Sequence, residues 1–312
     1  MRFIATGDWH LRSDIPRSVK VDSVEKWIDL QMENLRQIKK IAKENEISSI
    51  VVAGDVFNTY CESQSLINKT IQELRSWAGS GEYEDISVYG IAGNHDLPYH
   101  SFVNIDNSSF GILKNAGCLH LMDYENFGSF KGNDITGCSF AEEKTKDTLI
   151  PYSIGVLHRL VAPANTFPAD VKIDEPETMF AEFPNYQNMI VGDYHHSFLA
   201  KKGTGKKQRK LLVPGCIGRQ AIDMQDYECK IWICELLESG EMKAEPKTLK
   251  NLWELERVEE TAKNSSLLDA FVSLSANSFD YKDRILAEEN LKPLTATQRT
   301  LLHEITNRRM AQ

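Results

Sequence analysis

The chain has 312 residues, of which 41% are hydrophobic and 26% charged. That composition excludes collagen-like, mucin-like and wholly disordered proteins, and the apolar runs are too short to span a bilayer. The net charge of −9, from 36 Lys+Arg against 45 Asp+Glu, excludes a protein that holds nucleic acid mainly through bulk positive charge, while leaving room for a local basic patch or bound metal ions.

At roughly 150 residues per domain, the length allows two domains, or one large domain with an appendage. Met1–Asp8 lacks a signal-peptide h-region, so a cytoplasmic protein, or one associated with DNA, is the expectation. The six cysteines form no Cys-x-x-Cys pair, which fits buried free thiols in a reducing compartment.

Taken in chain order, Phe3–Thr6 predicts a strand, and the apolar spacing of Val24, Trp27, Ile28, Leu35, Ile38 and Ile41 predicts a helix from about Asp22 to Glu44. Ile50–Ala53 follows as a buried strand. A second helix is expected from Ser63 to about Ala78, ended by Gly79-Ser80-Gly81. Further strands fit Val88–Ala92, Asp134–Phe140, Ser153–Leu157, Met189–Val191, Leu211–Val213 and Lys230–Glu235. Alternating elements of this length predict an α/β architecture. Lys201–Lys210 predicts a basic β-hairpin around Gly203-Thr204-Gly205. After about Ser239 the chain becomes polar and is expected to be helical, with a capping box at Thr295–Gln298.

Five of these β-runs end in residues of metal-ligand type. They lead into Gly7-Asp8-Trp9-His10, Gly54-Asp55, Gly93-Asn94-His95-Asp96, His158, and Gly192-Asp193-Tyr194-His195-His196. Sites in α/β sheets form beyond the carboxyl ends of strands. Glycine there permits a sharp turn and close backbone approach. Carboxylate, imidazole and carboxamide together suit a divalent transition ion such as Mn, Fe or Zn. Six or seven such donors exceed one tetrahedral ion and match two, roughly 3.5–4 Å apart and acting on a phosphoryl group. Each fragment alone is a common turn; the ordered set is specific.

The series resembles the calcineurin-like metallophosphoesterase superfamily, and within it the SbcD-type nuclease subunits of double-strand-break repair. Pro214-Gly215-Cys216-Ile217-Gly218-Arg219 is similar to a segment of that branch. The resemblance covers about residues 1–235. It implies an α/β sandwich of two mixed sheets flanked by helices, with a metallophosphoesterase domain over 1–238 and a mainly helical, partner-binding extension over 239–312. It implies two-metal hydrolysis of DNA phosphodiester bonds by exonuclease or endonuclease action, in repair, recombination or replication. Two divalent ions, Mn2+ first and Mg2+ second, would be the cofactors. Asp8, His10 and His195 would hold the first ion, Asp55 would bridge, and Asn94 and His158 would hold the second. His95 would sit over the scissile phosphate, oriented by Asp96. DNA, an SbcC-like coiled-coil ATPase and a second copy of the chain would be the partners.

There are two departures from the family pattern. Asp193 stands where a second-ion His is usual and is expected to ligate that ion itself, in preference to the adjacent His196, and Asn58 replaces a frequent His. Arg12, Arg17, Lys201, Lys202, Lys206, Lys207, Arg209 and Lys210 are the expected DNA contacts. Trp9 and Phe57 are expected in the core. A small-molecule phosphodiesterase or phosphomonoesterase, and a metal-poor scaffold of the same fold, are the rival readings.

Overall fold

The structure is a computed structural model that describes residues 1–256 apart from 78–84, 123–128, 131–132, 141–153, 168–172 and 206–207. Strand β1 (Arg2–Thr6) is flanked by β2 (Ser49–Val52), and β3 (Ser87–Gly90) lies beyond it, all parallel. Helices α1 (Val24–Glu44) and α2 (Gln64–Arg75) make the crossovers that parallel pairing demands. Each is started by a serine cap: Ser23 and Ser63 accept hydrogen bonds from the Lys26 and Leu66 amides.

Strand period places alternate residues in different cores. Ile4, Ile50 and Val52 pack toward α1 and α2 with Ile28, Leu35, Ile38 and Leu66. Phe3, Ala5, Val51 and Ala53 face the other way, against Ile154, Val156, Ile190 and Leu212 of a second sheet. Both faces of β1 and β2 are therefore covered, which explains their unbroken apolar runs.

The first sheet is completed by β4 (His120–Leu121), β11 (Lys230–Leu236) and β12 (Met242–Thr248), in the order β12-β11-β1-β2-β3-β4. The second sheet contains β5 (Ser129–Phe130), β6 (Asn133–Cys138), β7 (Ile154–His158), β8 (Asn188–Gly192), β9 (Phe198–Lys202) and β10 (Arg209–Val213). Its order is β5-β6-β7-β8-β10-β9. Helix α3 (Ser109–Asn115) packs with Phe110 and Leu113 on the first sheet's outer core, and α4 (Pro176–Glu182) with Met179 and Phe180 on the second's. The result is the expected two-sheet α/β sandwich with helices outside.

Two expectations change. Residues 242–248, read as helical, form the antiparallel edge strand β12, with Met242 opposite Leu236 and Pro246 opposite Trp232. Its charged, Pro-containing text conceals a strand because an edge strand leaves one row of backbone groups to solvent and tolerates both. The first compact unit accordingly runs from Met1 to Glu256, past the expected boundary at 238. The basic hairpin is present as β9 and β10, in register from Lys202–Arg209 to Phe198–Val213. The apolar clusters at Leu267–Leu274 and Leu294–Ile305, with the capping box, lie outside the described residues.

Candidate metal centre

The carboxyl ends of β1, β2, β3, β7 and β8 meet on one side of the sandwich. After β2 the chain turns through Gly54 at φ 101° and Asp55 at φ 48°. A Cβ at Gly54 would lie 2.2 Å from His158 Nδ1, and one at Gly93 would lie 2.0 Å from Asp55 Oδ1. Only glycine admits these approaches. The Asp55 carbonyl accepts from the Trp9 and His10 amides at 2.9 Å each, which locks the first motif onto the second.

Two donor clusters form, and they share Asp55. His10, Asp55 and His95 make one; Asp8, Asp55 and His158 make the other. His195 joins the first through its Nε2, 3.0 Å from His10 Nε2. Asn94 joins the second: its Oδ1 lies 2.9 Å from His158 Nε2, with Asp55 Oδ2 at 3.4 Å from the same nitrogen. His158 Nδ1 faces the Ala53 carbonyl at 2.8 Å, so that nitrogen carries the hydrogen and Nε2 is the one turned to the oxygens. The expected ligands Asp8, His10, Asp55, Asn94, His158 and His195 thus converge.

The electrostatics fit cations. Burial pushes His10 down to about 3, against the pull of Asp55, leaving a neutral ring with a lone pair to offer. Burial also opposes charge on His158, but the Asp55, Asp8 and Asp193 carboxylates outweigh it and raise that ring to about 10. Burial would lift Asp55 too, yet His158 and His10 hold it below the ordinary carboxylate range. Asp8 is raised by burial. Buried Asp8 Oδ2 and His10 Nδ1 have no hydrogen-bond partner among the described residues. An unpaired Asp8 oxygen beside further carboxylates is costly unless positive charge enters. The residues present therefore fit a pair of divalent ions.

One expected role is corrected, and Asp193 falls outside both donor clusters. Asp96 does not orient His95. Its buried carboxylate accepts from the Val56, Phe57 and Gly93 amides at 3.1, 2.9 and 3.0 Å, tying the β2 and β3 loops together. Burial and the charge of Asp55 push it up to about 7. His95 is instead held through Nδ1 by the Asn58 carbonyl at 2.7 Å. Main-chain oxygen carries no sequence signal, so no motif could have pointed to this partner. Asp193, at φ 94°, offers its amide to Asp8 Oδ1 at 2.9 Å. Its carboxylate is in neither of the two clusters, though it lies close enough to His158, Asp55 and His195 to feel their charges. It remains near enough to lift His158. His196 is exposed and packs against Tyr194 and Tyr227, away from both clusters.

A cleft of about 220 Å³ opens over His10, His95 and His195, bounded by Arg12, Asn58 and Gln220. No sequence motif marks Gln220; it donates to the His10 carbonyl at 2.8 Å and receives Arg12 Nη1 at 3.4 Å. Arg12 also pairs with Asp14. Of the other expected DNA contacts, Arg17 and Lys201 are exposed, and Lys202 pairs with Glu177 at 2.6 Å. Lys206 and Lys207 lie outside the described residues. Arg209 and Lys210 are corrected to internal roles. Arg209 donates to the Tyr186, Phe180 and Phe183 carbonyls and lies over the Phe180 ring. Lys210 is buried, bonded to the Met242 carbonyl at 2.7 Å and to Glu241 at 3.1 Å. The hairpin's period of two turns these side chains onto packed neighbours. Trp9 and Phe57 are in the core as expected.

Comparison with known proteins agrees with the geometry. The model of the family described as calcineurin-like phosphoesterase matches residues 1–167. Exonuclease subunit 1 of Enterobacteria phage T4 is 28% identical over 133 residues, 42% of this chain and 36% of that protein. The SbcD component of the nuclease SbcCD of Bacillus subtilis (strain 168) is 29% identical over 124 residues, 40% of this chain and 28% of that protein. The match thus spans about a third of the length of these relatives. The crystal structure of TT1561 of Thermus thermophilus is similar at a TM-score of 0.47 and 12% identity, over 80% of this chain and 99% of that one. Among the described residues, no helix is long and apolar enough to cross a membrane.

Proposed function

We propose that this chain, which belongs to the calcineurin-like phosphoesterase family, is a nuclease that hydrolyses phosphodiester bonds of DNA with two divalent ions. The observation that carries the reading is the pair of donor clusters sharing Asp55. The family pattern would put Asp8, His10, His195 and Asp55 on one ion and Asp55, Asn94 and His158 on the other; in this structure Asp8 is grouped with Asp55 and His158, so its oxygens reach toward both positions. Such ions supply Lewis-acid charge to the phosphoryl oxygens and make water more acidic.

The chain's own residues do the rest. His95 is exposed beside the cleft. With Nδ1–H donated to the Asn58 carbonyl, its Nε2 faces the cleft and, protonated, delivers a proton to the oxygen that leaves phosphorus. Water oxygen bonds to phosphorus as the ester P–O bond breaks; the leaving oxygen takes the His95 proton, and the proton released by the attacking water passes to solvent and returns to His95, so atoms and charge balance. Arg12, steadied by Asp14 and Gln220, pairs with a phosphate in the cleft. The mixed oxygen and nitrogen donors favour Mn2+ as the first ion to test, then Mg2+.

Both curated relatives are named as subunits of nucleases. That supports a DNA-processing assembly for this chain too, with an SbcC-like coiled-coil ATPase and a second copy of the chain as partners, in repair, recombination or replication. The test is release of nucleotides from labelled linear duplex and single-stranded DNA in Mn2+, Mg2+ or chelator, beside bis(p-nitrophenyl) phosphate. Metal-dependent release, lost in Asp55→Ala and His95→Ala, supports the reading. Hydrolysis of the small diester without DNA cleavage, with or without the ATPase, assigns the centre to small-molecule esters. Failure to bind Mn2+ assigns the fold to a scaffold.

A further inference from the structure

Two large aromatic side chains stand in solvent on the loops that carry the centre. Tyr60 follows Asn58, whose carbonyl holds His95, and Tyr99 follows His95 by four residues. Tyr99 is 77% exposed and Tyr60 38%. Their rings lie 6.2 Å apart at a tilt of 37°.

The backbone sustains a strained conformation to keep them there. Tyr99 and His100 have φ of 54° and 55°, a region unfavourable for bulky L-residues. Surrounding contacts hold it. His100 Nδ1 lies 3.1 Å from the Asn94 carbonyl, and its ring packs edge-on to Phe140 at 6.0 Å; Phe140 in turn lies 6.5 Å from His158. The Tyr60 carbonyl accepts from the Ser109 amide at 2.7 Å. Tyr99 is thus mounted on the loop that carries Asn94 and His95, and Tyr60 on the loop that carries Asp55 and Asn58. Two paired aromatic rings left exposed on the loops that carry a phosphate-type centre, one of them on a strained backbone, point to a flat ligand.

We infer that Tyr60 and Tyr99 form a stacking platform for an unpaired nucleobase of the strand whose phosphate occupies the Asp55 centre. This rests on the nuclease reading above and narrows it to a single-stranded or frayed substrate, since duplex bases have no free face to offer. Aromatic platforms of this kind accept any base, because every base has a π-face.

The test uses the intact protein with Ca2+ in place of Mn2+, so that the centre keeps its positive charge while cleavage is suppressed, and a short oligothymidylate carrying one 2-aminopurine. Binding should quench the 2-aminopurine. Tyr99→Ala should weaken binding about fivefold or more and remove the quench, Tyr99→Phe should keep both, and a closed circular duplex, which has no terminal base face, should not respond to either change. With Mn2+ restored, Tyr99→Ala should raise KM for the oligonucleotide more than for bis(p-nitrophenyl) phosphate, which has no base. Wild-type binding that Tyr99→Ala leaves within about twofold would overturn the platform alone. So would a Tyr99→Ala protein whose mass in sedimentation falls to that of a monomer from a wild-type dimer, because a second copy would then be the occupant. A wild-type protein that binds no oligonucleotide would overturn the DNA reading with it.

Discussion

Gly54→Ala tests how the fold builds the centre. The substitution adds one carbon at a position with φ 101°, 2.2 Å from His158 Nδ1. Relief to an ordinary contact of about 3.5 Å requires a shift of about 1.3 Å. The ring has nowhere to retreat: Nδ1 is bound to the Ala53 carbonyl, and Nε2 faces Asn94 and Asp55. Gly192 is a second glycine on the same nitrogen: a Cβ added there would lie 2.9 Å from it. The control is Gly117→Ala. Gly117 has φ 68°, and a Cβ there meets nothing within 4 Å. It sits just past α3, where the Cys118 and Gly117 amides close onto the Leu113 and Lys114 carbonyls. Both variants bear the left-handed backbone cost, about 1–2 kcal/mol, which lowers Tm by roughly 2–8 °C in a protein of this size. Only Gly54→Ala moves a ligand. Displacement by about 1 Å is expected to lower kcat on bis(p-nitrophenyl) phosphate about 100-fold and to weaken Mn2+ binding in calorimetry about tenfold or more. A Gly54→Ala protein that matches Gly117→Ala in both measurements within about threefold would refute the account of His158 as a ligand fixed by glycine turns.

Three further outcomes follow from the same geometry. Asp55→Ala removes the carboxylate common to both clusters, so the calorimetric stoichiometry for Mn2+ should fall for both ions together, and loss of one ion alone would show that Asp55 does not bridge. His95→Ala should lower kcat about 10²–10⁴-fold while leaving the Mn2+ stoichiometry intact; loss of an ion would make His95 a ligand of the His10–Asp55 cluster instead. Arg209→Ala deletes a cation bonded to three main-chain carbonyls and should destabilise the protein by about 1–3 kcal/mol in urea unfolding, with DNA affinity unchanged, whereas Lys201→Ala should change DNA affinity and not stability.

Much of the fold and most of the centre were legible in the chain. The strands β1, β2, β7 and β8 announce themselves because burial on both faces demands nearly unbroken apolar runs. The residues after them are readable because glycine turns followed by carboxylate and imidazole are chemically conspicuous. What the sequence determined by itself, then, was the set of donors and their order along the chain. Pairing in space was decided by the tertiary structure. That Asp96 grips amides and the Asn58 carbonyl grips His95 depends on main-chain atoms that every residue possesses. That Asp193 serves Asp8 through its amide depends on a φ of 94°, which no residue type reports. Arg209 and Lys210 look like a DNA patch in one dimension and become packing elements in three, because strand register assigns each side chain a face. Strand β12 shows the same limit: an edge strand is held by its neighbour's backbone, so its own side chains need not declare it.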